Sequence, residues 1–78
     1  MSWNYRVVHT VHGAVETFAI YEVFYDDQGE PEARTEHPSY PAGETLEEFS
    51  EDVRHYLRAI EQPVLEDTVL TRHAPDEG

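Results

Sequence analysis

Large apolar and polar residues alternate near the start of the chain. The apolar parity carries Trp3, Tyr5, Val7 and Val11. Alternation with a period of two is typical of a strand that buries one face, so residues 3–11 are predicted to form the first strand. A turn is expected at Gly13, because glycine readily adopts a positive φ.

A second run, residues 16–25, is rich in β-branched and aromatic side chains on both parities. Such side chains favour strands, and apolar bulk on both faces predicts the central strand of a sheet. The tetrapeptide at 26–29 (Asp-Asp-Gln-Gly) is typical of a turn. Residues 32–36 follow Pro31 and are polar, which predicts a short third strand at the edge of the sheet.

The helix prediction rests on a capping signal and on periodicity. Thr45 and Glu48 have the spacing of a capping box, which satisfies backbone N–H groups of the first turn. One apolar stripe contains Leu46, Phe49, Val53, Tyr56, Leu57 and Ile60. Residues three and four apart share a helix face. Pro63 prevents the helix from continuing. We therefore predict a helix over Leu46–Ile60, with this whole stripe in the core.

These elements follow the order β-β-β-α, and residues 64–70 form either a short final strand or a segment along an edge. A half-buried sheet and an amphipathic helix must pack on each other. We therefore expect an α+β fold, a three-stranded antiparallel β-meander packed on one α-helix. One domain is predicted over residues 1–70, and a disordered tail over 71–78.

The sheet face opposite the helix carries Tyr21, Val23 and Tyr25. No element of the predicted fold is assigned to cover this face. Two interpretations follow: Tyr21 and Tyr25 contact a partner, or loops and the C-terminal segment cover them. A chain of 78 residues has a small core, so a homodimer is also a natural way to bury more apolar surface.

The chain is strongly acidic, with 17 Asp and Glu against five basic residues and a formal net charge of −12. All five basic residues are arginine, and there is no cysteine. This balance disfavours direct binding to nucleic acid or to anionic membranes. We find neither an apolar run long enough to span a bilayer nor a signal-peptide pattern, so a cytoplasmic location is expected.

Two groups of acidic residues are candidates for binding a basic protein. The first comprises Glu47, Glu48, Glu51 and Asp52 at the start of the predicted helix, and the second comprises Asp26 and Asp27 in the hairpin turn. Clustered carboxylates attract a cationic surface at long range. The alternative is a solvated face together with a favourable helix start, because acidic residues stabilise the first turn.

No arrangement of residues predicts catalysis. Glu51 and His55 are neighbours on the helix, yet no nucleophile or oxyanion-stabilising group accompanies them. His9 and His12 would point to opposite faces of a strand. A metal or small-molecule site that uses His9, His37 and His55 stays an alternative. We therefore predict no enzyme, and we assign no catalytic, cofactor-binding or metal-ligating residue.

Several segments together resemble a family of short bacterial proteins without an assigned activity. They are Trp3-Asn4-Tyr5-Arg6-Val7, Ile20-Tyr21-Glu22-Val23-Phe24-Tyr25-Asp26, Gly29, Pro31, Thr35-Glu36, Glu47-Glu48 and Pro63-Val64-Leu65. The resemblance covers most of the chain up to about residue 65. It implies a bacterial cytoplasmic protein and supplies no mechanism.

The helix start, Gly43-Glu44-Thr45-Leu46-Glu47-Glu48, follows three strands and is similar to the N-terminal domain of HicB-type antitoxins. That resemblance implies a ribonuclease-H-like βββαβ fold and a role in neutralising a small basic RNA-cleaving toxin by direct contact.

Taken together, the residues favour a small acidic interaction module that binds a basic protein partner. The antitoxin role and a small-molecule or metal-binding role are the alternatives.

Overall fold

The computed structural model describes residues 2–70 and 72–74, and it shows an α+β fold with one five-stranded sheet and one helix. The elements are β1 (Ser2–His12), β2 (Val15–Tyr25), β3 (Pro31–Thr35), α1 (Leu46–Ile60), β4 (Leu65–Glu66), a 3₁₀ turn (Asp67–Val69) and β5 (Arg72–Ala74). The strand order across the sheet is β4-β1-β2-β3-β5. The predicted α+β class and the bounds of the helix are confirmed.

The first three strands form an antiparallel meander, as expected. β1 and β2 pair along their whole length, with Tyr5 opposite Glu22 and Val8 opposite Ala19. Gly13 has a φ of 62° in the turn between them, a conformation that favours glycine. The β2–β3 register shifts between Phe24 and Tyr25. Each of these strands starts one residue before its predicted first residue. β2 ends at its predicted last residue, and β1 and β3 end within one residue of theirs.

The C-terminal segment adds the two outer strands, and this corrects the edge assignment. β4 pairs parallel to β1, and β5 pairs parallel to β3. β3 was predicted as the sheet edge, but it lies between β2 and β5, with Ala33, Arg34 and Thr35 buried. The tail prediction covered 71–78. Residues 72–74 of that segment form β5, and residues 71 and 75–78 lie outside the described residues.

The main hydrophobic cluster lies on the sheet face predicted to be open. Its buried members are Val8, Tyr21, Val23 and Leu70. Leu65 packs against them, so the segment after the helix covers this face. Of the two interpretations of the Tyr21 face, the structure therefore supports coverage by the C-terminal segment and corrects the expectation of an open partner surface.

Two buried arginines of the sheet form hydrogen bonds with the C-terminal segment. Arg34 Nε donates to Asp67 Oδ1 at 2.6 Å, and its guanidinium lies 4.5 Å from the centre of the Tyr21 ring. Arg6 donates to the Pro63 carbonyl oxygen at 2.7 Å. Because the desolvated guanidinium of Arg34 meets a carboxylate and an aromatic face, its burial is compensated.

The helix covers only part of the other sheet face. Tyr56 and Ala59 are its buried residues, and the Tyr56 ring stacks on Tyr5 with centroids 4.3 Å apart. Leu46, Leu57 and Ile60 are exposed. The expectation that the whole apolar stripe enters the core is therefore wrong, because the core forms mainly beneath the C-terminal segment.

Candidate functional site

The four acidic residues predicted on α1 line one cleft. Glu47, Glu48, Glu51 and Asp52 surround a cavity of about 340 Å³ together with Ala42 and His55. Spacings of three and four residues bring these side chains together on neighbouring turns. The backbone N–H of Ala42 donates to Asp52 Oδ2 at 3.0 Å, which holds the preceding loop across the cleft.

Some of these carboxylates also have structural roles. Thr45 Oγ1 accepts from the Glu48 backbone N–H at 3.0 Å, which confirms the predicted N-cap, and Glu48 Oε1 accepts from the Glu44 N–H at 3.2 Å. Glu51 forms an exposed ion pair with Arg54 at 2.9 Å, an interaction that typically contributes about 0–1 kcal/mol. These contacts order the cleft and leave its carboxylates accessible.

A second cleft adjoins the first one at His55. It encloses about 320 Å³ and is lined by Trp3, Asn4, Tyr5, His55, Arg58 and Gln62. Trp3 is half exposed, at 50%, and meets Tyr5 edge-to-face with centroids 5.3 Å apart. Trp3 lies on the apolar parity of the first strand, which predicts a buried side chain, but the neighbouring residues cover only half of it. We call the two clefts together the His55 groove.

A third, more polar cavity of about 470 Å³ lies between the loop after β3 and the helix. It is lined by Tyr5, Glu22, His37, Pro38, Ser39, Tyr40, Asp52 and Tyr56. The Tyr56 hydroxyl donates to the Tyr40 carbonyl oxygen at 3.1 Å. Burial raises the pKa of Tyr56 well above its usual range, because the charged phenolate is disfavoured away from water.

The hairpin acids do not join the His55 groove. Asp26 Oδ1 accepts from the backbone N–H groups of Gln28 and Glu30, both at 2.9 Å. This is the turn-stabilising role that aspartate commonly has. Asp27 is exposed beside it. The two predicted acidic groups are therefore separate features, and only the α1 group lines a cleft.

Tyr21 and Tyr25, the tyrosines predicted as a possible partner surface, make contacts within the protein. Tyr21 is buried beneath the C-terminal segment. The Tyr25 hydroxyl accepts from Arg6 at 2.8 Å and donates to Asn4 Oδ1 at 2.7 Å. Both side chains thus take part in internal contacts, and Tyr21 is not accessible to a partner.

The histidines considered for a metal site have different surroundings. His9 bonds Glu66 through Nδ1 at 2.8 Å and Glu16 through Nε2 at 2.7 Å. The hydrogen bond to Glu66, followed by that to Glu16, raises its pKa. His37 lines the polar cavity, and His55 lines the groove. Among the side chains of residues 2–70, no group of three or more His, Asp or Glu is arranged to hold a metal ion.

The carboxylate–histidine–carboxylate bridge was not predicted from the sequence. Its members come from β1, β2 and β4, and Glu66 is 57 residues from His9. No local pattern indicates such a contact.

Comparisons with known proteins add no further information about the site. No family model matches the chain, and neither a curated protein nor a solved structure matches it. In the described part of the chain, no helix has the length and apolar character needed to cross a membrane.

Proposed function

We propose that this chain is a non-enzymatic interaction module that binds a basic segment of another protein in the His55 groove. The observation that carries the proposal is the convergence of four carboxylates on one cleft that adjoins an exposed tryptophan. Clustered carboxylates select cationic side chains, and aromatic residues commonly anchor protein interfaces.

The two halves of the groove define the expected partner. The half around Trp3 and Tyr5 accepts an apolar or aromatic anchor, while the half around Glu47 and Glu51 accepts arginine or lysine. A partner segment with both features next to each other fits the whole groove. The net charge of −12 steers such a segment toward the protein and accelerates association at low ionic strength.

Trp3 provides a direct test because it is the single tryptophan of the chain. We would titrate the protein with a tryptophan-free peptide of leucine and arginine, and follow Trp3 emission. We expect a saturable shift at low salt that weakens as salt is added. The same peptide with glutamate in place of arginine should cause no shift.

Paired variants assign the effect to the groove. The double substitution E47Q/E51Q should weaken binding about tenfold, since it removes two cleft charges. The control E36Q/E61Q changes the net charge equally but alters no residue that lines the groove. The proposal fails if the arginine peptide causes no shift at low salt, or if both variants lose the same affinity.

One observation favours a more specific role. The resemblance to HicB-type antitoxins implied the element order βββαβ, and β4 follows α1 in this chain. An antitoxin of that kind would use its acidic surface against a small basic ribonuclease. A gene for such a ribonuclease next to this one would favour this role over a general basic partner.

A further inference from the structure

The cavity between the loop after β3 and α1 combines aromatic and acidic residues. It encloses about 470 Å³, and its lining includes Tyr5, Tyr40 and Tyr56 together with Glu22 and Asp52. We call it the tyrosine cavity. Its volume lies within the range of small-molecule sites, about 300–1,000 Å³. It meets the His55 groove at Tyr5 and Asp52 and is otherwise separate from it.

The aromatic part of this lining is held in place by contacts within the protein. Tyr5 and Tyr56 stack with an angle of 22° between their planes. The Tyr56 hydroxyl donates to the Tyr40 carbonyl oxygen at 3.1 Å, which fixes the loop against the helix. Tyr40 itself is 77% exposed, so its ring is accessible to a ligand. Aromatic rings attract cations, and a guanidinium stacks on them through its plane.

The acidic part of the lining gives the cavity a negative potential. Glu22 on β2 and Asp52 on α1 are both half-buried. Asp52 Oδ2 accepts from the Ala42 backbone N–H at 3.0 Å, and a carboxylate has lone pairs for further hydrogen bonds. Burial, followed by the contact with Tyr5, raises the pKa of Tyr56, and the charge of Asp52 adds to the rise. This added contribution has the sign expected near a negative charge.

The lining supplies little positive charge to balance these carboxylates. Of the residues that the structure describes, those at the cavity include one histidine, His37, and no arginine, and the chain has no lysine. Glu22 and His37 each make further contacts, but one imidazole balances at most one of the two carboxylate charges. Partly desolvated carboxylates are stabilised by a paired cation. The tyrosine cavity is therefore suited to a cationic ligand.

The opposite face of the sheet shows how this chain holds a guanidinium. Arg34 donates through Nε to Asp67 Oδ1 at 2.6 Å, and its guanidinium carbon lies 4.5 Å from the centre of the Tyr21 ring. A carboxylate and a tyrosine ring together thus accommodate the group away from water. The tyrosine cavity presents the same two kinds of partner.

We propose that the tyrosine cavity binds a guanidinium group, whose N–H donors meet the carboxylates of Glu22 and Asp52 while its plane stacks on the Tyr40 ring. The planar fork of donors suits this combination, whereas an ammonium is a strongly hydrated point charge. The group is supplied by a free small guanidine or by an arginine of a protein partner. The inference goes beyond the proposed function, because it adds a site outside the His55 groove and selects guanidinium over ammonium.

A small arginine analogue, N-acetylarginine methylamide, provides the direct test. We would titrate it into the isotopically labelled full chain and follow the backbone amides by NMR. We expect saturable shifts at Glu22, Tyr40 and Asp52, with a millimolar dissociation constant. The corresponding lysine analogue should bind about tenfold more weakly, and the uncharged citrulline analogue should cause no shift.

Variants assign the binding to the tyrosine cavity. Glu22→Gln should raise the dissociation constant of the arginine analogue about tenfold, because it removes one charge-assisted pair. The control Glu30→Gln makes the same change at an exposed residue of the hairpin turn and should have no effect. Tyr40→Ala, at an exposed position, should also weaken binding, and it provides a second test if Glu22→Gln does not fold. E47Q/E51Q should weaken binding less than Glu22→Gln, since it alters the groove alone, so the two sites are tested independently.

Competition with the leucine–arginine peptide identifies the source of the guanidinium. If a protein partner supplies it, the peptide should shift the Glu22 and Tyr40 amides and displace the arginine analogue. If a free guanidine supplies it, the analogue alone should shift them, and either result supports the site. No saturable shift at these amides, equal binding of the lysine analogue, or equal weakening by Glu22→Gln and Glu30→Gln would each overturn the inference.

Discussion

His9 is held between two carboxylates in a way that depends on its charge. Each ring nitrogen lies within 2.8 Å of a glutamate oxygen, and the ring stacks on Phe18 with centroids 4.6 Å apart. Both nitrogens can donate only in the imidazolium form. The bridge joins the central strands to β4, so the charge of one imidazole contributes to holding the C-terminal segment in place.

The raised pKa of His9 gives the bridge a defined pH dependence. Because protonation is favoured in the folded state, the contribution is fully present below the unfolded pKa, about 6.5. It is lost as pH rises through the raised folded-state pKa. We expect the difference in unfolding free energy between wild type and His9→Gln, measured with urea, to be larger at about pH 5.5 than at about pH 8.5.

A variant without the two partner carboxylates isolates this effect. In an E16Q/E66Q background, the substitution His9→Gln should cost the same at both pH values. A difference that grows toward alkaline pH would contradict the role of the imidazolium.

The C-terminal segment contributes more to the core than its short strands indicate. Leu70 is 6% exposed and packs in the cluster with Val8, Tyr21 and Val23. Leu70→Ala should therefore lower the unfolding free energy by about 3 kcal/mol, through lost burial and an unfilled cavity. Val15 is 61% exposed, and Val15→Ala should change stability by only about 0.5 kcal/mol.

Urea unfolding of both variants at one pH provides the measurement. Equal losses would mean that the segment does not form the core.

Local signals explain why some elements were predictable. The bounds of α1 follow from the Thr45 cap and from the apolar periodicity, both of which depend on neighbouring residues. β4 and β5 have two and three residues and exist through parallel pairing with distant strands. The local pattern of residues 64–70 therefore predicted a short strand such as β4 only as one of two alternatives, and it did not predict β5. The coverage of Tyr21 was left open for the same reason, because Leu65 and Leu70 lie in a segment of mixed polarity.

The same distinction between local signals and long-range contacts applies to the candidate site. The helical spacing of Glu47, Glu48, Glu51 and Asp52 was enough to place them together. The contribution of Trp3 to the groove was not predictable from strand parity. Parity assigns a side chain to a face of the sheet, but whether α1 extends over that position depends on how the helix packs.

The charge of the whole molecule determines how the proposed binding responds to salt. The net charge of −12 attracts a basic peptide, and added salt screens that attraction, so the affinity should fall as ionic strength rises. Trp3 fluorescence over a salt series measures this response. An affinity that stays constant over the series would contradict an electrostatic contribution to binding.

The parallel pairing of β4 with β1 and of β5 with β3 also affects the order of folding. These strands pair with residues 8–9 of β1 and 33–35 of β3, and the ribosome synthesises them after the meander and α1. Until they emerge, the backbone donors and acceptors of those residues are unpaired on the outer sides of the meander and can pair with another chain. Docking of this segment should therefore lower the tendency of the newly made protein to aggregate.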